Sequence, residues 1–367
     1  MDIKNIIKIV FLLTLLIFNL FSVAQNIKFI NADEFVRIGK ADSELNFHRI
    51  EDCTLREMPK NIQTLAKHSS GIAVIFETNS SCIAAKWQLA DTAYYANLTP
   101  VAQSGLDLYC LRNGEWQFVN VAKPKRGLCQ EVAIISNMDT TTKQFMLYLP
   151  LFNSVTNLEI GFDSSAWAGK PKLLGIDVSK NIVVYGSSIV QGASASRPGM
   201  TYTSIVQRNL HLNIINLGLS GSVKMELALA KYITSIPAIC YILDCVPNTS
   251  PQQITKKTYP FIKYLSMSKP KIPILIIESI FRENGYFDKE VKDFVKRQND
   301  ALFKACKQLW TEGYRNIFYL SSDNLIGKDH ESTIDGTHLT DLGFVRISDK
   351  ILPYLKRILK EYSTNRD

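Results

Sequence analysis

Five residues suited to acyl transfer stand in order along the second half of the chain: Ser188 in Gly186-Ser187-Ser188-Ile189, Gly218 in Asn216-Leu217-Gly218, Asn248, and the Asp335-Gly336-Thr337-His338 pair. Ester hydrolysis through a covalent intermediate needs a nucleophile, a base, an acid that orients the base, and donors for a tetrahedral oxyanion. Ser188, His338 and Asp335 suit the first three roles. The backbone N–H groups of Ser188 and Gly218, with the Asn248 amide, suit the last. Ser187 and His330 are the rival choices for nucleophile and base. Each block alone has a plain structural reading: Gly-Ser-Ser is common turn chemistry, Asp335 to His338 reads as an Asx turn ahead of a helix near Leu339, and Asn216 or Asn248 can end a strand. The chemical reading rests on all four blocks standing at strand ends.

Those strands are legible after about residue 177. Ile182–Tyr185, Ile214–Leu217, Ile239–Leu243, Ile274–Ile277 and Ile317–Leu320 are short apolar runs without polar alternation. Such runs are expected in a parallel sheet buried on both faces. Amphipathic segments separate them, and Val291, Phe294, Val295, Leu302, Cys306 and Leu309 recur at helical spacing. Right-handed crossovers then build a five-stranded parallel doubly wound (flavodoxin-like) α/β domain, whose chemistry gathers outside the carboxyl ends of the strands. Every candidate residue meets that rule.

Residues 25–176 read differently, as short β-leaning runs such as Gly71–Glu77, Cys82–Trp87 and Lys143–Leu149. Asn113-Gly114 parts two of them and supplies the positive φ angles of a type I′ hairpin. An antiparallel β-sandwich of this stretch, followed by the α/β domain over 177–367, is the expected organisation. Trp87, Tyr94, Tyr95 and Trp116 stand where they could stack on sugar rings or fill the sandwich core.

Residues 1–24 form a third kind of segment. Lys4 and Lys8 precede an apolar run from Ile9 to about Phe21, and Ser22-Val23-Ala24 follows. That is the layout of a cleaved export signal, too short in its apolar part to span a bilayer comfortably. A mature protein in the periplasm or outside the cell, without stable membrane insertion, is expected. The chain of 367 residues is 46% hydrophobic and 21% charged, which excludes collagen-like and wholly disordered readings. Its net charge of +8 is not gathered into a basic arm, so no nucleic-acid partner is expected. The seven cysteines contain no C-x-x-C pair and the five histidines no H-x-x-x-H, so neither a disulfide framework, a metal nor a cofactor is expected.

The four blocks resemble those of the SGNH (GDSL-like) hydrolase superfamily, whose Ser, Gly, Asn and D-x-x-H fall here on Ser188, Gly218, Asn248 and Asp335/His338. Gly105-Leu106-Asp107-Leu108-Tyr109 also resembles the G-x-D-L-Y signature of a β-sandwich that precedes this catalytic domain in exported bacterial proteins. Block I departs from Gly-Asp-Ser-Leu, with Ser187 for the aspartate and Ile189 for the leucine, which replaces any carboxylate brace of the turn by a neutral one. The resemblance implies an exported serine esterase acting on short acyl groups, acetyl foremost, of a carbohydrate or other small ester. A lipid or thioester acylhydrolase and a catalytically silent carbohydrate-binding protein are the alternatives.

Overall fold

The structure, a computed structural model, describes residues 26–363 apart from Ser43 and Glu57. The expected export segment lies outside the described residues. Ten strands come first: β1 (Ile27–Asn31), β2 (Val36–Ile38), β3 (Ala73–Thr78), β4 (Ile83–Leu89), β5 (Leu106–Arg112), β6 (Glu115–Ala122), β7 (Cys129–Ile135), β8 (Lys143–Tyr148), β9 (Val155–Asp163) and β10 (Ala168–Gly169). They form two antiparallel sheets, one ordered β1-β9-β4-β7 and one β10-β3-β8-β5-β6 with β2 against β3. Asn113 and Gly114 turn the β5–β6 hairpin with φ of 53° and 82°, as a type I′ turn demands. Phe76, Trp87, Phe145 and Phe162 fill the space between the sheets. Trp87 and Trp116 are buried, and Tyr95 packs on Phe152, so of the four aromatics considered for sugar stacking only Tyr94 stands well exposed.

Five parallel strands follow: β11 (Asp177–Gly186), β12 (Leu212–Gly218), β13 (Cys240–Asp244), β14 (Ile274–Ile277) and β15 (Ile317–Leu320). Their order is β12-β11-β13-β14-β15, a flavodoxin-like sheet. Alternate residues feed opposite cores. Val183, Tyr185, Ile215, Tyr241 and Ile276 face one, with helices Pro251–Ser268 and Lys289–Thr311. Ile182, Val184, Ile214, Ile242 and Leu275 face the other, with helices Tyr202–Leu210 and Asp341–Ser363. No helix among the described residues is long and apolar enough to cross a membrane.

The N-terminal half is not all strand and turn. Helices Asp52–Leu55, Lys60–Lys67 and Pro100–Ser104 interrupt it. Ile50, Leu55, Met58, Ile62 and Ala66 leave the sandwich and join the core beneath the parallel sheet. The apolar spacing of Ile62, Leu65 and Ala66 is helical, but at eight residues the Lys60–Lys67 helix depends on packing for its stability. Ile62→Ala should therefore lower unfolding free energy by about 2–5 kcal/mol, read by urea denaturation. The α/β half should lose its structure in the same transition.

Candidate active site

Ser188 opens the short helix Ser188–Gln191 directly after β11. The turn is tight because Gly186 ends the strand: a Cβ there would lie 2.2 Å from Val190 Cγ2 and 2.4 Å from the Asp244 carbonyl oxygen. Ser187 donates its N–H to that same carbonyl at 3.0 Å. Its hydroxyl accepts the Ile189 N–H at 3.3 Å, the neutral brace that stands in place of an aspartate. Gly192, at φ 103°, closes the helix. The Ser188 N–H has no acceptor among the described residues and lies at a helix start, where the backbone favours negative charge.

Ser188 Oγ lies 3.0 Å from His338 Nε2. His338 Nδ1 lies 2.7 Å from Asp335 Oδ2, while Asp335 Oδ1 accepts the N–H groups of Thr337 and His338 at 3.0 and 2.8 Å. The Asx-turn reading and the triad reading thus describe the two oxygens of one carboxylate. Partial burial works to raise the Asp335 carboxyl, but the His338 backbone N–H and ring, with the Thr337 N–H, outweigh it and hold the group below the ordinary carboxylate range. The loop is closed behind by an Ile334 N–H to His338 C=O bond of 2.9 Å and a Thr333–Leu339 bridge. A charged Asp335 on Nδ1 leaves Nε2 free to accept the serine proton.

The rivals are engaged elsewhere. Ser187 is fully buried with its hydroxyl on Ile189. His330 is exposed, its Nδ1 on Glu283 Oε2 at 2.8 Å and its ring on Tyr286 at 4.7 Å. Asn248 follows β13 on a turn; its side chain makes no hydrogen bond to any described residue, and its Oδ1 is buried without a partner.

Gly218 requires a correction. Its N–H is given to Asn216 Oδ1 at 2.9 Å, and a Cβ would lie 2.1 Å from the Gln191 nitrogen. It is glycine because the nucleophile helix packs on it, and its donor is spent. Further along, Leu219 N–H goes to Gly186 C=O at 2.9 Å and Ser220 N–H to Gln191 Oε1 at 3.0 Å. Gly221 comes next, exposed and at φ 68°, with no hydrogen bond from its N–H to any described residue. The free strand-end donor is Gly221.

Sequence reasoning missed the groups behind this edge. Arg49 is fully buried and donates to the carbonyls of His68, Asn216 and Gly218 at 2.9, 3.2 and 2.5 Å. Burial pushes it down to about 9, which leaves it protonated at neutral pH. His68 is driven down to about 3 by burial and then by the Arg49 charge. Neutral His68 accepts from Gln191 Nε2 at 3.0 Å, and Gln191 Oε1 in turn fixes Ser220. The Arg49 bonds to Asn216 and Gly218 and the Gln191 bond to His68 have no local signal, since each joins the N-terminal half to the sheet edge.

Residues 179–356 match the GDSL-like Lipase/Acylhydrolase family, and residues 27–167 match the GxDLY family, described as the N-terminus of Esterase_SGNH_hydro-type. No curated protein sequence matches the chain. Among solved structures, a GDSL-like lipase from Bacteroides ovatus is 43% identical, with a TM-score of 0.87 over 91% of this chain and 98% of that one. A salicylyl-acyltransferase from a tetracycline biosynthetic pathway is 16% identical, with a TM-score of 0.74 over the same shares, 91% and 98%. A family two carbohydrate esterase from Cellvibrio japonicus shares the fold at 13% identity and a TM-score of 0.59, again over 91% and 98%.

Asp244 carries a pH signature of this turn. Full burial raises its carboxyl to about 7, against the lowering effect of a 3.2 Å bond from the Tyr202 hydroxyl. Between the ordinary 3.8 and about 7 the folded chain keeps a proton that the unfolded chain loses. Stability from this group therefore falls as pH rises through that window and is level above it. At about 1.4 kcal/mol per unit the effect is of the order of a few kcal/mol. Asp244→Asn should flatten the pH 4–7 slope in thermal melts and should raise the midpoint at pH 8 relative to wild type.

Proposed function

The chain belongs to the GDSL-like lipase/acylhydrolase family, and from that premise we propose that it is an exported serine esterase that removes short acyl groups, acetyl foremost, from carbohydrate. The observation that carries the reading is the hydrogen-bonded series Ser188 Oγ, His338 Nε2, His338 Nδ1, Asp335 Oδ2. His338 takes the Ser188 proton as Oγ attacks the ester carbonyl. Asp335 holds the ring tautomer and stabilises the imidazolium. The tetrahedral oxyanion is met by the Ser188 N–H, the Asn248 amide and the Gly221 N–H in place of Gly218. Collapse breaks the bond to the sugar oxygen, which leaves with the proton from Nε2. Water then attacks the acyl-serine with His338 again as base, releasing the acid and restoring Ser188.

Support for a sugar as leaving group comes from the rim of the site. Tyr286 and Phe287 are 58% and 94% exposed, on a segment tied to the catalytic loop by the Glu283 N–H to Gly336 C=O bond of 2.9 Å. Exposed aromatic side chains on a segment bonded to the loop that carries His338 suit pyranose rings, whose C–H faces are apolar. The likeness of fold to a carbohydrate esterase agrees with it. The export-signal layout of residues 1–24 agrees with a polymer substrate outside the cytoplasm.

The test is acid release by the mature protein from acetylated xylan, acetylated mannan, peptidoglycan and p-nitrophenyl esters of increasing length. Acetate from glycans, with esters falling off beyond short chains, is the expected result; a rate that climbs with acyl length would replace this reading by the lipid acylhydrolase. Ser188→Ala should lose about 10⁴–10⁶-fold in kcat. Asn248→Ala should lose about 10²–10³-fold. Sugar binding without turnover, unaffected by Ser188→Ala, would establish the silent binding protein.

A further inference from the structure

The Gly105–Tyr109 signature lies in the sandwich, and acyl transfer leaves it without a task. Strand alternation gives it two faces: Leu106 and Leu108 enter the sandwich core, whereas Asp107 and Tyr109 turn towards the α/β half. Gly105 has no room for a side chain, since a Cβ would lie 2.7 Å from the Ala122 carbonyl oxygen. Asp107 is fully buried, and its Oδ2 accepts from Arg197 Nη1 at 2.8 Å and from the Gly199 N–H at 2.8 Å. Arg197 Nη1 also donates to the Tyr109 hydroxyl at 2.5 Å, and its guanidinium lies 4.0 Å from the Phe118 ring centre. Gly199 is matched to this surface, because a Cβ there would lie 2.5 Å from Tyr109 Cε2 and 2.8 Å from Asp107 Oδ2.

Arg197 and Gly199 belong to the strap of residues 193–199 that leaves the nucleophile helix at Gly192. The strap also reaches the histidine side. Ser196 gives its N–H to Asp341 Oδ1 at 2.8 Å and its hydroxyl to Asp341 Oδ2 at 2.5 Å. Asp341 begins the final helix, directly after the loop that carries His338. Thr99 adds a bond from its hydroxyl to the Ser196 carbonyl at 2.6 Å. One strap is therefore continuous with the serine, bonded to the sandwich, and bonded to the start of the helix that follows the histidine loop.

We propose that the signature is a positioning device: Asp107 and Tyr109, acting through Arg197 and Gly199 on the 193–199 strap, set the approach of His338 to Ser188. The proposal rests on the esterase reading and deepens it. Asp107, Tyr109 and Arg197 touch no reacting atom. A buried ion pair adds little net stability but fixes one geometry, and a displacement of about 1 Å at reacting groups costs roughly 10²-fold in rate.

The experiment compares wild type with Asp107→Asn, Ser196→Ala, the double variant, and Tyr148→Phe as a control. Tyr148 bonds Gln207 Oε1 at 2.7 Å across the same interface but does not touch the strap. Readouts are kcat and KM on p-nitrophenyl acetate, the labelling rate of Ser188 by a fluorophosphonate, and the thermal midpoint. Each single variant should lose about 10–100-fold in kcat and in labelling with KM changed less than about twofold. The double variant should be no slower than the worse single, because both cut one brace. Tyr148→Phe should lower the midpoint and leave kcat alone. A folded Asp107→Asn with wild-type kcat, or losses that multiply in the double variant, would overturn the proposal. Should Asp107→Asn not fold, Ser196→Ala decides alone, and unchanged kcat and labelling there overturns it. Wild-type protein without turnover that Ser188→Ala abolishes would instead overturn the esterase reading, and this proposal with it.

Discussion

Everything in the site depends on a contact that the sheet order makes difficult: Ser188 Oγ at 3.0 Å from His338 Nε2. The serine is delivered by β11, near one side of the sheet, and the histidine follows β15, the opposite edge. Three strand spacings separate them, about 14 Å at roughly 4.8 Å each. The segment after Leu320 must therefore run back across the strand ends, and it is tied down as it goes. Glu278 Oε2, beyond β14, accepts the Ser322 N–H and hydroxyl at 2.8 and 2.9 Å. Arg346 pairs two-fold with Asp329 at 2.5 and 2.8 Å and reaches Ser332 Oγ at 2.9 Å. Glu283 then holds Gly336. A loop of this length would otherwise leave the imidazole free to wander, so its cross-links are part of the site's geometry.

The N-terminal half reaches the same edge by two separate routes. Arg49 and His68 come from the excursion that packs beneath the sheet and hold the β12 end and Gln191; Asp107 and Tyr109 come from the outer face of a sandwich sheet and hold the strap after the nucleophile helix. Both routes use groups that are expensive to bury. Arg49 has no carboxylate partner among its hydrogen bonds, only oxygens of peptide and amide groups. The active-site edge is in this sense built from both halves of the chain.

What the sequence reveals follows from how local each signal is. The five parallel strands are legible because a strand buried on both faces is apolar at most positions, and Ile274–Ile277 and Ile317–Leu320 match the observed bounds. Ser188, Asp335 and His338, the residues proposed for the triad, stand out in the sequence because polar groups at the ends of such strands need a reason to be there. Gly218 and Gly221 could not be told apart, since a glycine required by close packing and one with a free N–H look identical until the opposing helix is in place. The helices at 52–55 and 60–67 were hidden for a related reason: their partner is not the sandwich around them in sequence but a sheet more than a hundred residues later. Arg197 and Asp341 give no local sign at all, because their meaning lies in a strap that joins three distant elements.

Burial sets how readily the groups around the serine carry charge. Acyl transfer develops negative charge at the oxyanion and positive charge on the imidazole. The carboxylate beside the imidazole, Asp335, is partly open and well supplied with N–H donors, which keeps it ionised. The carboxyl beneath the nucleophile turn, Asp244, is wholly buried with a single hydroxyl for company, which holds it up at about 7. His68 is kept neutral by the same burial, and buried Arg49 bonds the carbonyl of Gly218. Two carboxyl groups with opposite environments thus differ in how readily they carry charge, a division of labour that depends on solvent exclusion more than on residue type.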